Sequence, residues 1–362
     1  MTVETVELSV EIRSYDAAHR IAVSFLKWLY NKTFHDVQDR LVNKILTRGY
    51  PRSVRVVVEL PQKLAYRMRM RPQCATVERT PRQLGGLSIS GTLRVAGLQS
   101  AGKPADPDAN LDELDRVAKS LAGQADLLIT PELFVTGYDI GDRLRELVSV
   151  GHLESVRSIA ERNKLAIIVG LAEEGPVGAL HNSAVFIDER GVVRGRHRKT
   201  HLFGEIDRAY FTPGSQPATV VQYRGVQVGV MICYDVEFPE NVRMAALAGA
   251  DLLAVPTAQM EPFEFVADVV VRARAWENQI YLAYINHDGA ENATTYVGRS
   301  SIVGPDGGVL DRIESGTGTI IAEIDTEVVR AAQRANPYLT DARPELNAPL
   351  VAPPAPRPAW PD

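Results

Sequence analysis

Cysteines and long apolar runs are scarce in this 362-residue chain. Its two cysteines, Cys74 and Cys233, are too few for a disulfide framework, so the composition favours a reducing compartment. No apolar run approaches the roughly 18 residues that a membrane-spanning helix needs. The first residues include the acids Glu4, Glu7 and Glu11 instead of a basic segment followed by an apolar one. We therefore expect a cytoplasmic protein that does not associate with membranes.

Neither sign of charge dominates the chain, since its net charge is only -5. The charges are nevertheless unevenly distributed. Residues 1–92 hold 15 basic and 8 acidic residues, a balance of +7, whereas the remainder holds 25 and 37, a balance of −12. This asymmetry indicates two segments with different roles. The basic residues of the first segment form no dense patch, so we expect a solvated basic face and no nucleic-acid partner.

The first 92 residues have patterns of their own. Apolar side chains in residues 16–46 follow the spacing of amphipathic helices, and residues 53–60 alternate as a strand does. Proline, glycine and serine between residues 72 and 92 indicate a linker, in which Cys74 has no expected role. We therefore divide the chain into a basic N-terminal extension of unknown role (1–71), the linker (72–92), a main domain (93–346) and a proline-rich tail (347–362).

From residue 93 onward, short apolar runs alternate with amphipathic segments, as in a layered α/β protein with mixed sheets. Strands are predicted at 92–99, 125–130, 166–170, 181–188, 191–195, 226–233, 250–255 and 281–286. Helices are predicted at 110–122, 144–163, 237–248 and 264–278, with Asn110 capping the first of them. Residues 299–310 predict a β-hairpin. Trp276 and the methionines are expected in the core.

Three polar side chains follow apolar strand patterns directly. Cys233 ends one such run and precedes a helical pattern, so its thiol is expected near a helix N-terminus. That position lowers a thiol pKa and supplies backbone N–H donors for an oxyanion. Glu132 and Lys199 follow two other predicted strands. A carboxylate with a raised pKa can take a thiol proton, while an ammonium and the Tyr234 N–H can stabilise an oxyanion.

These residues belong to a longer set of motifs that occur in a fixed order from about residue 95 to residue 345. In this order the set resembles the nitrilase superfamily of carbon–nitrogen hydrolases. Its members here are Pro131-Glu132-Leu133-Phe134, Arg198-Lys-Thr-His201, Pro213-Gly214, Cys233-Tyr-Asp-Val-Glu-Phe-Pro-Glu240, Arg274-Ala-Trp-Glu-Asn278 and Gly298-Arg-Ser-Ser301.

The resemblance implies a fold, a set of roles and an assembly. Glu132 would be the general base, Lys199 would stabilise the oxyanion, and Cys233 would be the nucleophile, with no cofactor. The fold would be a four-layer αββα sandwich that pairs through its outer helices into a homodimer or a higher homo-oligomer. The seven histidines show no ligand spacing with cysteines or acids, so no metal is expected.

Within the superfamily, the segments that start at Glu132, His201 and Ala335 look most like the bacterial amidase branch. That branch includes stereoselective amidases that act on carboxamides such as those of amino or cyclic amino acids. The expected reaction is therefore hydrolysis of a small carboxamide to a carboxylate and ammonia through a thioester on Cys233.

Two positions depart from the superfamily pattern and bear on substrate binding. Asp207 stands where many members carry a second glutamate; it is either a pocket acid or a partner of Arg208, and Glu205 is a nearby substitute. Glu237 stands where many members carry arginine. An acid in the pocket would disfavour carboxylate-bearing substrates and suit neutral or amine-bearing amides. We expect Asp207, Tyr234 and Glu237 to contact substrate.

Other functions fit the same residues. Nitrile hydrolysis and N-carbamoyl cleavage would use the same Glu132, Lys199 and Cys233. A catalytically silent module that keeps the fold for binding belongs to a different class. A Cys–His hydrolase that uses His201 would lose turnover on replacement of His201, whereas we expect this histidine to be structural.

Overall fold

The structure is a computed structural model that describes residues 3–11, 53–61, 91–148 and 151–343. The chain divides into two compact units, Met1–Gly86 and Leu87–Asp362. The helices predicted at 16–46, the linker segment around Cys74 and the proline-rich tail lie outside the described residues. None of the helices within these ranges is long and apolar enough to span a membrane.

In the first unit, two nine-residue strands form an antiparallel pair. β1 (Val3–Glu11) and β2 (Ser53–Pro61) are in register from the pair Val3 and Pro61 to the pair Glu11 and Ser53. The strand predicted at 53–60 is therefore confirmed. β1 carries the alternation of valine or leucine with polar residues that is typical of a strand.

Fourteen strands of the second unit are described, twelve of them in two six-stranded sheets. They are β3 (Thr92–Gln99), β4 (Leu127–Ile129), β5 (Ala166–Glu174), β6 (Leu180–Ile187), β7 (Val193–Arg198), β8 (Thr219–Tyr223), β9 (Val226–Val230), β10 (Leu252–Thr257), β11 (Tyr281–Asn286), β12 (Asp288–Glu291), β13 (Thr294–Val297), β14 (Ser300–Val303), β15 (Val309–Ile313) and β16 (Gly318–Asp325). The first sheet has the order β16-β3-β4-β5-β6-β7 and the second β15-β14-β11-β10-β9-β8. β12 and β13 form a separate hairpin.

Both sheets are mixed, as predicted. The central strands β3, β4 and β5 are parallel in the first sheet, and β9, β10 and β11 are parallel in the second. Antiparallel strands flank them on both sides. The predicted hairpin near residue 305 corresponds to β14 and β15. Carboxyl ends of parallel strands meet at one edge of a sheet, where side chains that follow them can converge.

Helices cover the outer faces of the sheets. The described helices are α1 (Pro107–Ser120), α2 (Arg143–Val148), α3 (His152–Asn163), α4 (Gly204–Arg208), α5 (Pro239–Leu247), α6 (Val271–Asn278), α7 (Thr326–Ala335) and α8 (Tyr338–Asp341). A 3₁₀ turn, Cys233–Glu237, precedes α5, and a π-helical turn, Val266–Val270, precedes α6.

Alternate side chains of the parallel strands point to different cores. On β3, Leu93 and Val95 join the core that holds residues of both sheets, whereas Ala96 and Leu98 pack with α1 and α3. α5 and α6 contribute buried residues to the first of these cores. A period of two therefore buries both faces of a strand. The predicted four-layer αββα arrangement is confirmed for the second unit.

Two helix boundaries differ from prediction. α1 begins at Pro107, because the Asp106 side chain caps it by accepting a hydrogen bond of 3.2 Å from the Ala109 N–H. Asn110, predicted as the cap, is instead buried inside the helix and bonds to Lys103 and Val135. The helix predicted at 144–163 is two helices, α2 and α3, with Gly151 at φ 29° before the second.

The prediction that Trp276 and the methionines lie in the core is wrong for two of them. Trp276 on α6 is 43% exposed and Met244 on α5 is 52% exposed. Both helices bury small side chains such as Ala245 and Ala275 against the sheet, so larger residues on their other faces remain at the surface.

Candidate active site

Glu132 lies in the turn at the carboxyl end of β4, held by backbone contacts to the other sheet. Its N–H donates to the Thr257 carbonyl at 3.2 Å, and its own carbonyl accepts from His287 Nε2 at 2.6 Å. Gly170 on β5 approaches so closely that an added Cβ would lie 2.2 Å from the Pro131 carbonyl oxygen. The position of Glu132 is thus set by both sheets.

Cys233 lies at the start of the 3₁₀ turn, three residues beyond the end of β9. Its φ of 43° is unfavourable for a residue with a Cβ, and such strain is found at functional positions. The residue is only 7% exposed. Burial, and then the negative charge of Glu132, raise the pKa of the thiol well above its usual value, against Lys199 and a hydrogen bond from the Ala258 backbone.

The expectation of a lowered thiol pKa is therefore wrong. The turn that begins at Cys233 spans only five residues, and it is followed by the helix at Pro239. A short buried turn supplies little of the field of a long helix, so the cost of removing a thiolate from water dominates. The resting thiol is protonated and needs a base.

Lys199 follows β7 directly and places its ammonium between two carboxylates. Nζ lies 2.7 Å from Glu132 Oε1 and 2.7 Å from Asp207 Oδ2, and all three side chains are fully buried. Burial by itself would lower the pKa of Lys199, but the negative charges of Glu132 and Asp207 outweigh it and raise the pKa well above its usual value. The side chain therefore remains a cation.

The two oxygens of Glu132 have different surroundings. Oε1 accepts from Lys199 Nζ and, at 2.6 Å, from Asn182 Nδ2. Oε2 is buried and accepts no hydrogen bond from any residue that the structure describes. Burial raises the pKa of Glu132, which Lys199 opposes and Asp207 reinforces. A desolvated carboxylate oxygen with a free lone pair can accept a proton.

Asp207 is a fully buried acid that connects several elements. Its carboxylate accepts from the Tyr138 hydroxyl at 2.9 Å and from the Phe203 N–H at 2.8 Å, in addition to Lys199. The alternative that it pairs with Arg208 is wrong, because Arg208 lies 3.8 Å from Glu205 instead. Glu205 also fails as a substitute, since its side chain is 92% exposed.

A small pocket opens onto Cys233. It is partly open to solvent and is lined by aromatic and polar side chains. Tyr234 and Glu237, both expected to contact substrate, line this pocket, whereas Asp207 lies behind Lys199. The lining residues are Tyr138, Phe203, Cys233, Tyr234, Glu237, Ala258, Gln259 and Met260. No cluster of three or more histidine, cysteine or acidic side chains in the described part of the chain is suited to hold a metal ion.

The sequence pattern of the family described as carbon-nitrogen hydrolase matches residues 92–334. The chain belongs to the carbon-nitrogen hydrolase family. It is therefore an enzyme that hydrolyses carbon–nitrogen bonds, and the predicted family resemblance is confirmed. A protein of Pseudomonas protegens called "hydrolase in pqqF 5′ region" is 42% identical over 273 residues, which are 74% of this chain and 95% of that protein. An (R)-stereoselective amidase of a Pseudomonas species is 33% identical, over 69% of this chain and 92% of its own.

A solved structure of an amidase from Nesterenkonia sp. is similar to this hydrolase in both fold and sequence. It is 37% identical, with a TM-score of 0.64 and coverage of 72% of this chain and 98% of its own. A variant of that amidase carries the acetamide moiety of fluoroacetamide covalently on its active-site cysteine (36% identity, TM-score 0.64, coverage 71% and 96%). Another variant binds butyramide (36% identity, TM-score 0.65, coverage 72% and 98%).

In this carbon-nitrogen hydrolase, His201 bonds to an acid other than Glu132. Its Nδ1 lies 3.1 Å from Asp235 Oδ1, and its ring stacks on Phe238 with 3.8 Å between centroids. In the part of the chain that the structure describes, His201 has no hydrogen bond to Cys233. The geometry favours a structural histidine over a Cys–His pair.

Sequence reasoning missed several polar residues of the hydrolase site. Asn182 lies within the buried strand β6, and Gln259 follows β10 and accepts from the Tyr284 hydroxyl at 2.9 Å. Asp235 accepts hydrogen bonds from the backbone N–H groups of Thr200 and His201, next to Lys199, and of Ile232, next to Cys233. The available signal was a polar residue inside or directly after an apolar run, the same signal that identified Glu132.

Proposed function

We propose that this protein is an amidase that hydrolyses a small carboxamide to a carboxylate and ammonia, with Cys233 as nucleophile, Glu132 as general base and Lys199 as electrostatic stabiliser. The observation that carries the proposal is the asymmetric Glu132 carboxylate. Oε1 is held by Lys199 and Asn182, while Oε2 is buried without a partner among the described residues. A protonated thiol nearby in the same buried site needs such an acceptor.

The first half of the reaction forms the thioester. Glu132 Oε2 takes the proton from Cys233 Sγ, and the sulfur attacks the amide carbon. The Lys199 ammonium and the Tyr234 N–H stabilise the oxyanion that forms. The protonated Glu132 then gives its proton to the amide nitrogen as the C–N bond breaks, and ammonia leaves.

The second half returns the enzyme to its starting state. Glu132 takes a proton from water, and the hydroxide attacks the thioester carbon. The C–S bond breaks, and Glu132 returns the proton to the sulfur, so that the carboxylic acid is released and the thiol is restored. One carboxylate thus acts as base and acid twice.

Three residues are proposed to take part in substrate binding, two of them directly and one through its partners. We assign contacts with the bound amide to Tyr234 and Glu237, because both residues line the pocket. Asp207 acts on the substrate through its partners, because its carboxylate holds the Lys199 ammonium and the hydroxyl of Tyr138, which lines the pocket.

Ammonia release from a panel of amides, nitriles and N-carbamoyl compounds tests the proposal. Amides are expected to be turned over best, and Cys233→Ala to abolish turnover of all three classes. Preferred release from nitriles or carbamoyl compounds would reassign the reaction to those classes. A silent panel together with a Cys233 thiol that does not react with iodoacetamide would favour a non-catalytic binding module.

The assembly proposed is a homodimer or higher homo-oligomer formed through the outer helices α5 and α6. Among the described residues, large apolar side chains on these helices, in the π-helical turn before α6 and at Phe265, which directly precedes that turn, are solvent-exposed, and such a surface is often covered by another protein surface. They are Met244 (52% exposed), Leu247 (55%), Phe265 (65%), Val269 (45%) and Trp276 (43%). A cytoplasmic location is also proposed, because two cysteines in 362 residues do not make a disulfide framework, which favours a reducing compartment.

The domain division is proposed as well. The family match begins at residue 92, and the compact second unit begins at Leu87. A chain of residues 88–362 is therefore expected to retain amidase activity. Loss of turnover in this shorter chain, measured as ammonia release, would give the extension a role in folding or catalysis.

A further inference from the structure

The candidate active site holds more negative than positive side chains. Glu132, Asp207 and Glu237 carry carboxylates at or behind the pocket, while Lys199 supplies one ammonium. Lys199 is already shared between Glu132 and Asp207, at 2.7 Å from each. The Lys199 ammonium is therefore already paired with two carboxylates, and neither of them is Glu237. The site keeps an excess of negative charge even when Glu132 is protonated.

Glu237 is the acid that faces the pocket without a partner. It is the last residue of the turn that begins with Cys233, and it lines the same pocket. Among the described residues, none forms a hydrogen bond or an ion pair with its carboxylate. Burial raises the pKa of Glu237, and Lys199 and Arg274 only partly oppose this. The anion therefore lacks a close counter-ion.

Arg274 lies near Glu237, but its guanidinium bonds to groups other than the Glu237 carboxylate. Nε donates to the Val236 carbonyl at 3.0 Å, and Nη2 donates to the Glu237 backbone carbonyl at 2.7 Å. Nη1 lies 3.1 Å from Glu277 Oε1, which forms the ion pair with this arginine. Arg274 thus fixes the backbone of Glu237 and leaves the side-chain carboxylate for another cation.

Aromatic rings complete the surroundings of this carboxylate. Phe203 and Tyr234 line the pocket and meet edge to face, with 5.3 Å between their centroids. Tyr138 also lines it and has the Lys199 ammonium 5.7 Å from its ring centroid. Aromatic faces attract cations and give no support to a carboxylate. An acid beside aromatic rings is therefore suited to bind an ammonium group.

We propose that the pocket selects carboxamides that bear a positively charged amine close to the amide, with Glu237 as the counter-ion of that amine. The inference rests on the proposed amidase function. Cys233 and Glu237 are the first and last residues of one short turn and line the same pocket, so an amide bound at Sγ shares that pocket with the Glu237 carboxylate. Glu237 is a specificity-determining residue, and carboxylate-bearing amides are rejected.

Two amides of equal shape test this charge selectivity. Alaninamide carries an ammonium where isobutyramide carries a methyl group, and malonamate adds a carboxylate. Wild-type kcat/KM is expected to be at least about tenfold higher for alaninamide than for isobutyramide, the size of effect typical of one partly buried ion pair. Malonamate is expected to be the poorest of the three.

Variants assign the effect to one side chain. Glu237→Gln is expected to lower kcat/KM for alaninamide by about tenfold and to leave isobutyramide within about twofold. Glu237→Asp is expected to keep most of the preference. Glu240→Gln removes an exposed carboxylate three residues further along the chain and is expected to change neither value.

Other results would contradict either the charge selectivity or the amidase function itself. If wild type hydrolyses isobutyramide as well as alaninamide, or Glu237→Gln affects both equally, the inference is wrong and the amidase function stands. If wild type releases no ammonia from any of these amides or from the wider panel, the proposed function fails and the inference fails with it. If Glu237→Gln does not fold, the test rests on the ratio of kcat/KM for alaninamide to kcat/KM for isobutyramide, measured for wild type and for Glu237→Asp.

Discussion

At Glu132 the two oxygens of one carboxylate have different surroundings, and the proposed mechanism gives each oxygen its own task. Oε1 receives Lys199 and Asn182, which fix its orientation. Oε2 has no partner in the described part of the chain and remains available as a base. Because the Cys233 thiol has a raised pKa, proton transfer to this oxygen is a necessary step of the proposed mechanism.

Glu132→Gln tests this assignment with little change of shape. The amide cannot take the thiol proton, so kcat is expected to fall by about 10²–10⁴-fold, the usual contribution of a general base. Ammonia release from a reactive amide measures it. Two variants are the controls, and mild effects on kcat are expected for both. Glu205→Gln replaces a side chain that is 92% exposed, and His201→Ala replaces the structural histidine. Activity within tenfold of wild type for Glu132→Gln would place the base elsewhere.

The charge of Asp207 predicts how kcat/KM depends on pH. Its negative charge helps to raise the pKa of Glu132, and a protonated Glu132 cannot accept a proton, so kcat/KM falls as the pH drops through the pKa of the site. Asp207→Asn removes that charge. The acid limb of the kcat/KM profile is therefore expected to move to lower pH. A limb that stays in place or moves upward would contradict the assigned coupling.

At the scale of elements, one carboxylate ties together the segments that carry Lys199 and Cys233. Asp235 accepts from the N–H groups of Thr200 and His201 on one side, at 3.1 and 2.8 Å, and from the Ile232 N–H at 3.3 Å on the other. It also lies 3.0 Å from His197 Nε2. Neighbours of both reactive residues thus share one acceptor, which fixes their relative position.

Asp235→Asn is expected to destabilise the fold in a pH-dependent manner. Hydrogen bonds from His197, His201 and Thr200 lower the pKa of Asp235 far below 3.8, despite its burial. A lowered folded-state pKa gives stability above the unfolded value near 4 that is lost as the pH falls. Wild type is expected to exceed Asp235→Asn by roughly 3 kcal/mol in unfolding free energy at pH 7.

Urea unfolding at several pH values measures that difference. The gap between the two proteins is expected to narrow steadily as the pH falls from about 4 toward 3, because the wild-type carboxylate becomes protonated when the chain unfolds. A gap that stays constant across this range would show that the carboxylate charge of Asp235 does not stabilise the fold.

Gly170→Ala tests the close approach between β5 and the Glu132 turn. The added methyl would lie 2.2 Å from the Pro131 carbonyl oxygen and 2.6 Å from the Leu133 nitrogen, so the turn must move. Stability is expected to fall by about 1–3 kcal/mol, and kcat to fall with it because Glu132 shifts. Gly123→Ala, at φ 77° with no atom in the way, is expected to lose stability alone. If both variants had the same kcat, the close approach of Gly170 would not affect the position of Glu132 in catalysis.

At the scale of the whole molecule, exposed apolar side chains on α5, on α6 and in the π-helical turn before α6 form the proposed interface. Val269→Glu adds a charge to this surface and is expected to shift the protein toward monomer, as measured by analytical ultracentrifugation. Val328→Glu on α7 is the matched control, because both valines are 45% exposed. An oligomer that survives Val269→Glu but not Val328→Glu would move the interface to α7.

The order and type of most elements follow from the sequence. β3 and β11 have the predicted bounds, since apolar runs of six to eight residues leave few alternatives. The start of α1 was missed because Asp106-Pro107 is a local cap that competes with Asn110, and both have the chemistry of a cap. Trp276 was misplaced because an aromatic residue on a short helix fits either face until the neighbouring layer is known.

The candidate site divides in the same way between sequence and fold. The sequence by itself determined the α/β class and the family, and it singled out Glu132, Lys199 and Cys233 as candidate catalytic residues, because each stands in a local motif beside an apolar strand. Only the tertiary structure decided that Asn182 holds Glu132, that Glu205 is exposed, and that the thiol pKa is raised. These properties depend on burial and on contacts between residues far apart in the sequence, such as Asn182 and Glu132, which are 50 positions apart, and local patterns carry no information about either.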